Sequence, residues 1–147
     1  MDGHDEDGRA VGAAAESAAR FARVRQAHQS ELAEDYVEMI DDLIREKGEA
    51  RLVDLAGRFG VAPATATRTV QRLARDGLVV SEPYRAIHLT DEGHRIACAA
   101  RERHGLVRAT LIALGVPEAA ADADAEGIEH HVGEETLAAF RRYLDGR

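Results

Sequence analysis

The apolar positions along the chain fall into a short series of periodic segments. From about Arg25 to Lys47, Leu32, Tyr36, Met39, Ile40, Leu43 and Ile44 form one stripe at helical spacing, and Gly48 ends the segment. Before it, residues 1–24 are rich in Gly, Ala and Asp, with no apolar period until Phe21 and Val24, which predicts a flexible tail running into a helix. RLVDLAGRFG (51–60) reads as a short helix with Leu52, Leu55, Ala56 and Phe59 inward. After the turn at Gly60, Pro63 suits the first position of a second helix, where its missing N–H is not needed. That helix buries Ala66, Val70 and Leu73 and stops at Gly77. Two short strands, LVVS (78–81) and AIHL (86–89), flank a turn at 82–85. Thr90 is placed to cap a helix running to about Leu114, with Asp91 and Glu92 favourable in its first turn. Gly115 breaks that helix, Pro117 opens another through about His131, and a last one spans 134–144.

Two short helices joined by a glycine turn and followed by a hairpin make a winged helix-turn-helix. The expected fold is therefore mainly α: a tail (1–24), a winged helix-turn-helix DNA-binding domain (25–92), and a helical metal-binding and dimerisation domain (93–147). The second helix opens on Pro63, Ala64, Thr65 and Thr67, small enough to let it sink into a major groove, where a Thr methyl can meet a thymine methyl. Arg68, Arg72 and Arg75 follow at helical spacing and reach towards phosphates, and Arg85 stands beside Tyr84 at the tip of the wing. Solvated arginines on a small packing unit would carry the same charges without touching DNA. The small residues and the wing favour the nucleic-acid reading.

Charge changes the picture in one respect. The net charge of −8 argues against nucleic acid, but it is unevenly spread. Residues 51–90 hold six arginines (51, 58, 68, 72, 75, 85) against three acids (Asp54, Asp76, Glu82), so the acidity lies elsewhere. One part of the chain is suited to an anion and another to a cation. The 45% hydrophobic content supports a packed core, and with 4% aromatic residues and no Trp that core is aliphatic. No apolar run approaches the roughly 18 residues of a membrane span. The acidic start MDGHDEDGRA is unlike a secretory signal, and the one cysteine, Cys98, has no internal partner. A cytoplasmic protein without a membrane partner is expected, and Cys98 reads as a buried small residue.

The cation candidates lie at both ends of the core. In EGIEHH, Glu126, Glu129 and His130 fall within an arc of about 100° on a helix, while His131 points about 100° further round. Asp35 and Glu38 stand three residues apart at the edge of the first stripe, and His104 is in reach of completing a cluster. Crowded carboxylates repel unless a cation separates them, and an oxygen-rich set with two imidazoles suits a hard-to-borderline divalent ion such as Mn2+. Two neighbouring ions sharing Glu126 and Glu129 fit this set. Each group also has a bland reading as solvated surface, since Glu31, Glu34, Asp41 and Asp42 crowd the same face.

Taken together, DYVEMIDDLIREKGEARLVDLAGRFGV, VQRLARDGLV, YRAIHLTDEG, RERH and DAEGIEHHVGEETL resemble the manganese branch of the diphtheria-toxin-repressor family, nearly continuously from about residue 27 to 145. The resemblance implies a dimeric, Mn2+-activated repressor binding double-stranded operator DNA, with Asp35, Glu38, His104, Glu126, Glu129 and His130 as ligands. It implies two ions per subunit, with Fe2+, Co2+, Zn2+ or Cd2+ as substitutes in vitro. Iron-responding relatives carry Met at the position of Asp35 and Cys at that of Glu126; here both are oxygen donors. Gly133 departs from the Ser that relatives use as a cap, and the resemblance to the manganese branch implies no SH3-like domain of the kind that longer iron-type relatives carry. No catalytic residue and no organic substrate are expected. The rival readings are an iron- or other metal-responsive repressor of the same family, a metal-independent winged-helix regulator, and a binuclear metallohydrolase. The last lacks an HExxH motif and a visible general base. Leu111, Ile112, Leu114 and Val116 are the expected dimer contact.

Overall fold

The structure, a computed structural model, describes residues 5–147, with side chains from Gly8 onward. Helix α1 is Asp5–Lys47, α2 Leu52–Phe59 and α3 Pro63–Arg75; strands β1 (Val79–Val80) and β2 (His88–Leu89) follow, then α4 (Asp91–Ala113), α5 (Glu118–Ile128) and α6 (Glu134–Asp145). The chain forms two compact units, residues 1–32 and 33–147. The first differs from expectation. Residues 1–4 of the predicted tail lie outside the described residues, and from Asp5 the segment is helical. Val11, Phe21 and Val24 are exposed on it, so its helicity owes little to burial and rests on the high intrinsic propensity of its alanines. Apolar periodicity carries no signal for such a helix.

In the second unit the expected elements form in order. Tyr36, Val37, Ile40 and Leu43 of α1 are buried against Leu55, Val70, Leu73, Val79 and Ile87, and Ala97 of α4 closes this core. Tyr36 stacks on Phe59 at 4.3 Å between ring centroids, fixing α1 on α2. Gly60, at φ 65°, ends α2 in the left-handed conformation that favours glycine. The wing is an antiparallel pair with Val79 opposite Leu89 and Val80 opposite His88. A further bridge, Ala50 to Ile87, with Ile87 N–H donating to Ala50 C=O at 2.7 Å, ties the wing to the loop after α1. Nothing in the apolar pattern foretold that third tie.

Helix α4 joins two cores. Its start packs on the winged helix, while Val107 belongs to a second aliphatic cluster with Ala125 and Leu137, flanked by Leu106, Leu111, Val132 and Phe140. The expected boundary between residues 92 and 93 falls inside the first turn of this helix. Arg101, further along α4, donates to Asp41 and to Asp42 (2.5 Å), bracing α1 from the side; Asp41 also pairs with Arg45 at 3.3 Å. Cys98 is half-buried rather than buried, its Sγ 3.7 Å from His94 Nε2. Helix α5 ends at Ile128, short of the expected His131, and residues 129–131 form a turn.

The junction of wing and α4 is tight. Thr90 Oγ1 accepts from Gly93 N–H at 3.1 Å, the expected cap, and its hydroxyl donates to Gly77 C=O at 2.7 Å. Thr90 N–H donates to Leu78 C=O at 3.0 Å. A Cβ on Gly93 would stand 2.1 Å from that same Leu78 oxygen, a backbone atom with no room to yield. Gly93→Ala should therefore cost roughly 1–3 kcal/mol through enforced displacement. Its thermal midpoint is expected below that of wild type in a melt followed by circular dichroism, whereas Gly105→Ala, with no atom near its added Cβ, should not lower it. Equal midpoints for the Gly93 variant and wild type would refute the close approach.

Candidate metal centre and nucleic-acid face

The buried stripe of α1 sets the position of its acidic edge. With Tyr36, Val37 and Ile40 locked in the core, Asp35 and Glu38 are half-exposed beside it, facing α4 and the turn that follows α5. That turn carries Glu129, 3% exposed, and His130, whose side chain is 2% exposed. His130 Nε2 lies 3.1 Å from Asp35 Oδ1 and 3.4 Å from Glu129 Oε1, and His104 Nδ1 lies 3.2 Å from Glu129 Oε2. The structure thus gathers Asp35, Glu38, His104, Glu129 and His130 from three elements. Glu126 stands apart: it is exposed on α5, and none of these contacts reaches it. The helix read through His131 ends at Ile128, but Glu129 keeps helical backbone angles and its N–H donates to Ala125 C=O at 3.0 Å, while residues 129–131 form a turn.

The electrostatics are those of a cluster short of positive charge. Burial and then the neighbouring Glu38 carboxylate push Glu129 up to about 8. Burial likewise raises Glu38, although Arg101 opposes it. Burial pulls His130 down, but its hydrogen bond to Glu34 and the carboxylates of Asp35 and Glu129 outweigh this and raise it. Glu129 Oε2 is buried with no hydrogen-bond partner, because His104 Nδ1 at 3.2 Å is not oriented to donate to it. A buried, unpartnered carboxylate oxygen is costly. An ion shared by oxygen and nitrogen would satisfy both.

The donor set fits such an ion. Around an octahedral centre with bonds of about 2.1 Å, adjacent donors stand about 3 Å apart. The nitrogen–oxygen separations of 3.1–3.4 Å are of that size. Sequence reasoning missed two residues here. Glu34, read as acidic surface, accepts from His130 Nδ1 at 2.5 Å, and Arg103 Nη2 holds Glu34 Oε1 at 2.8 Å. Glu34 lies one residue before Asp35 in a crowd of acids, and no spacing rule separates it from Glu31 or Asp42.

Helix α3 exposes Pro63, Ala64 and Arg68 to solvent and leaves Thr65, Thr67 and Arg72 half-buried. The Thr67 hydroxyl donates to Pro63 C=O at 2.9 Å, so its polar atom is already committed to the backbone. Among the described residues, Arg68, Arg72 and Arg75 make no ion pair, unlike Arg51 and Arg58, which pair with Glu49 and Glu46. Tyr84 at the wing tip is 101% exposed at φ 61°, a strained conformation for a bulky residue, and Arg85 beside it touches only the exposed Glu82 at 3.3 Å.

The chain has well-matched relatives. Residues 28–87 match the family described as iron dependent repressor, N-terminal DNA binding domain, and residues 90–146 match iron dependent repressor, metal binding and dimerisation domain. The transcriptional regulator MntR of Escherichia coli O6:H1 is 53% identical over 84% of this chain and 79% of its own length. The regulator of the same name from Salmonella typhimurium is 51% identical over 82% of this chain and 76% of its own. A solved manganese-dependent transcriptional repressor in complex with manganese is 32% identical with a TM-score of 0.66, covering 77% of this chain; the chain spans about half of that protein, 52%. With both domains matched in order and at this identity, the chain belongs to the iron-dependent repressor family of transcriptional regulators.

Proposed function

We propose that this protein is a manganese-responsive, DNA-binding transcriptional repressor acting as a cytoplasmic homodimer. The observation that carries the proposal is the buried, unpartnered oxygen of Glu129, set among Asp35, Glu38, His104 and His130. Asp35, Glu38, His104, Glu126, Glu129 and His130 would supply the ligands, for two ions per subunit. Hard oxygen donors predominate, which suits Mn2+, although Fe2+, Co2+ and Zn2+ bind such sites more tightly in general, so selectivity rests on geometry. The related manganese complex supports the same choice. Residues 25–92 read operator DNA and residues 93–147 dimerise, with exposed Ile112 and Leu114 and half-buried Leu111 and Val116 at the contact. Pro63, Ala64, Thr65 and Thr67 enter the major groove, while Arg68, Arg72 and Arg85 meet the backbone. The ion braces α1 against the turn after α5, and so sets the spacing of the two recognition helices in the dimer.

Operator binding should then require metal. The test is fluorescence anisotropy of a labelled operator with the purified protein, in chelator and in Mn2+. Specific affinity is expected only with the ion, and equal affinity in chelator would defeat the proposal.

Arg68→Ala and Arg85→Ala should weaken operator binding and leave Mn2+ binding by the free protein intact. Each phosphate that a variant no longer neutralises should make the slope of log affinity against log salt shallower by about 0.9. Wild-type affinity in both variants would mean that another face meets DNA.

The raised groups also fix a pH dependence. Glu129, Glu38 and His130 hold protons more tightly in the folded, metal-free protein than in the unfolded chain. Folding stability from these groups therefore falls as pH rises from the unfolded carboxylate value of 4.5 through about 8. A bound ion displaces those protons, so the rise in thermal midpoint on adding Mn2+ should grow between about pH 6 and 8. A rise that does not change with pH would show that the ion binds elsewhere.

A further inference from the structure

The imidazole of His130 sits in a turn, just beyond the cap of α5, with no helix backbone on both sides to restrain it. A neutral imidazole has one N–H and one lone pair, and only the nitrogen carrying the lone pair can bind an ion. Something must therefore set both the ring's orientation and the location of its proton. Glu34 is placed to do so. Its Oε2 accepts from Nδ1 of His130 at 2.5 Å, and its Oε1 is held by Arg103 Nη2 at 2.8 Å. Both carboxylate oxygens are thereby engaged, which separates Glu34 from the groups around Nε2.

We propose that Glu34, anchored by Arg103, is the positioning residue of the metal centre: it keeps the proton of His130 on Nδ1 and directs the Nε2 lone pair between Asp35 and Glu129. This rests on the reading of His130 as a ligand. A carboxylate on the far nitrogen of a ligating imidazole fixes its tautomer and strengthens it as a donor. The arrangement joins α4, α1 and the turn after α5 through side chains alone, so the ring is oriented before any ion arrives. Arg103 and His104 are consecutive on α4, and together they reach both sides of the cluster, one through Glu34 and the other through Glu129.

The test compares wild type, Glu34→Gln and Glu34→Ala by titration with Mn2+, following free Mn2+ by its electron paramagnetic resonance signal. Glu34→Ala should lower affinity ten- to a hundred-fold, on the order of other outer-shell losses. Glu34→Gln, whose amide oxygen still accepts from Nδ1–H, should fall between the two. A second readout is the imidazole nitrogen spectrum of the chelated protein at alkaline pH. It should report the Nδ1–H tautomer in wild type and a mixture in Glu34→Ala, a change that loss of packing alone does not produce. A wild type that binds no Mn2+ overturns the site itself. A wild type that binds, with Glu34→Ala equally tight, or with Glu34→Gln as weak as Glu34→Ala, overturns the role of Glu34 alone.

Discussion

Carboxylates on separate elements cannot crowd together in partly buried space without protons or positive charge between them, and the second compact unit is arranged around that constraint. Asp35 and Glu38 are carried by a helix whose other face is committed to the winged-helix core. Glu129 is carried by a turn pinned down by the second core through Val132 and Leu137. Neither can retreat without unpacking aliphatic side chains, so the mutual repulsion is relieved by protons or by a cation. The raised Glu129 and His130 are the proton solution. The geometry of the nitrogens and oxygens is suited to the other. Competition between proton and ion for the same buried charges is what makes such a cluster responsive.

The cationic side chains nearby are used selectively. Arg101 takes Asp41 and Asp42, and Arg103 takes Glu34, so three of the crowded acids have an arginine partner. On the DNA face the logic is reversed. Arg68, Arg72 and Arg75 make no ion pair among the described residues, so no internal pair would have to break for them to meet an anion. A chain with a net charge of −8 still has a basic segment, because residues 51–90 hold six arginines against three acids.

Much of this was legible in the sequence because it follows from local rules. The stripe at Tyr36, Ile40 and Leu43, the turn at Gly60, proline at the head of α3 and the Thr90 cap each express a short-range preference, and each element formed where expected. The misses have other causes. The helix from Asp5 has no apolar stripe, so a reading based on burial sees only composition. The end of α5 at Ile128, short of the expected His131, has no counterpart in the apolar pattern, because the backbone keeps helical angles at Glu129 before the turn. Glu34 was hidden among equivalent acids, and only the fold decides which of them meets His130.

The junction at Gly93 makes the winged helix move as one piece with α4. Helix α4 enters against the Leu78 carbonyl with no slack, and Ala50 ties the wing to the end of α1 as well. From His104 to Asp91 the helix rises by about 20 Å. Were it tilted about His104 by about 5°, its far end would sweep by about 2 Å. A methyl added at Gly93 would loosen the far joint of such a lever, and a tilt near His104 would then no longer carry through to the wing.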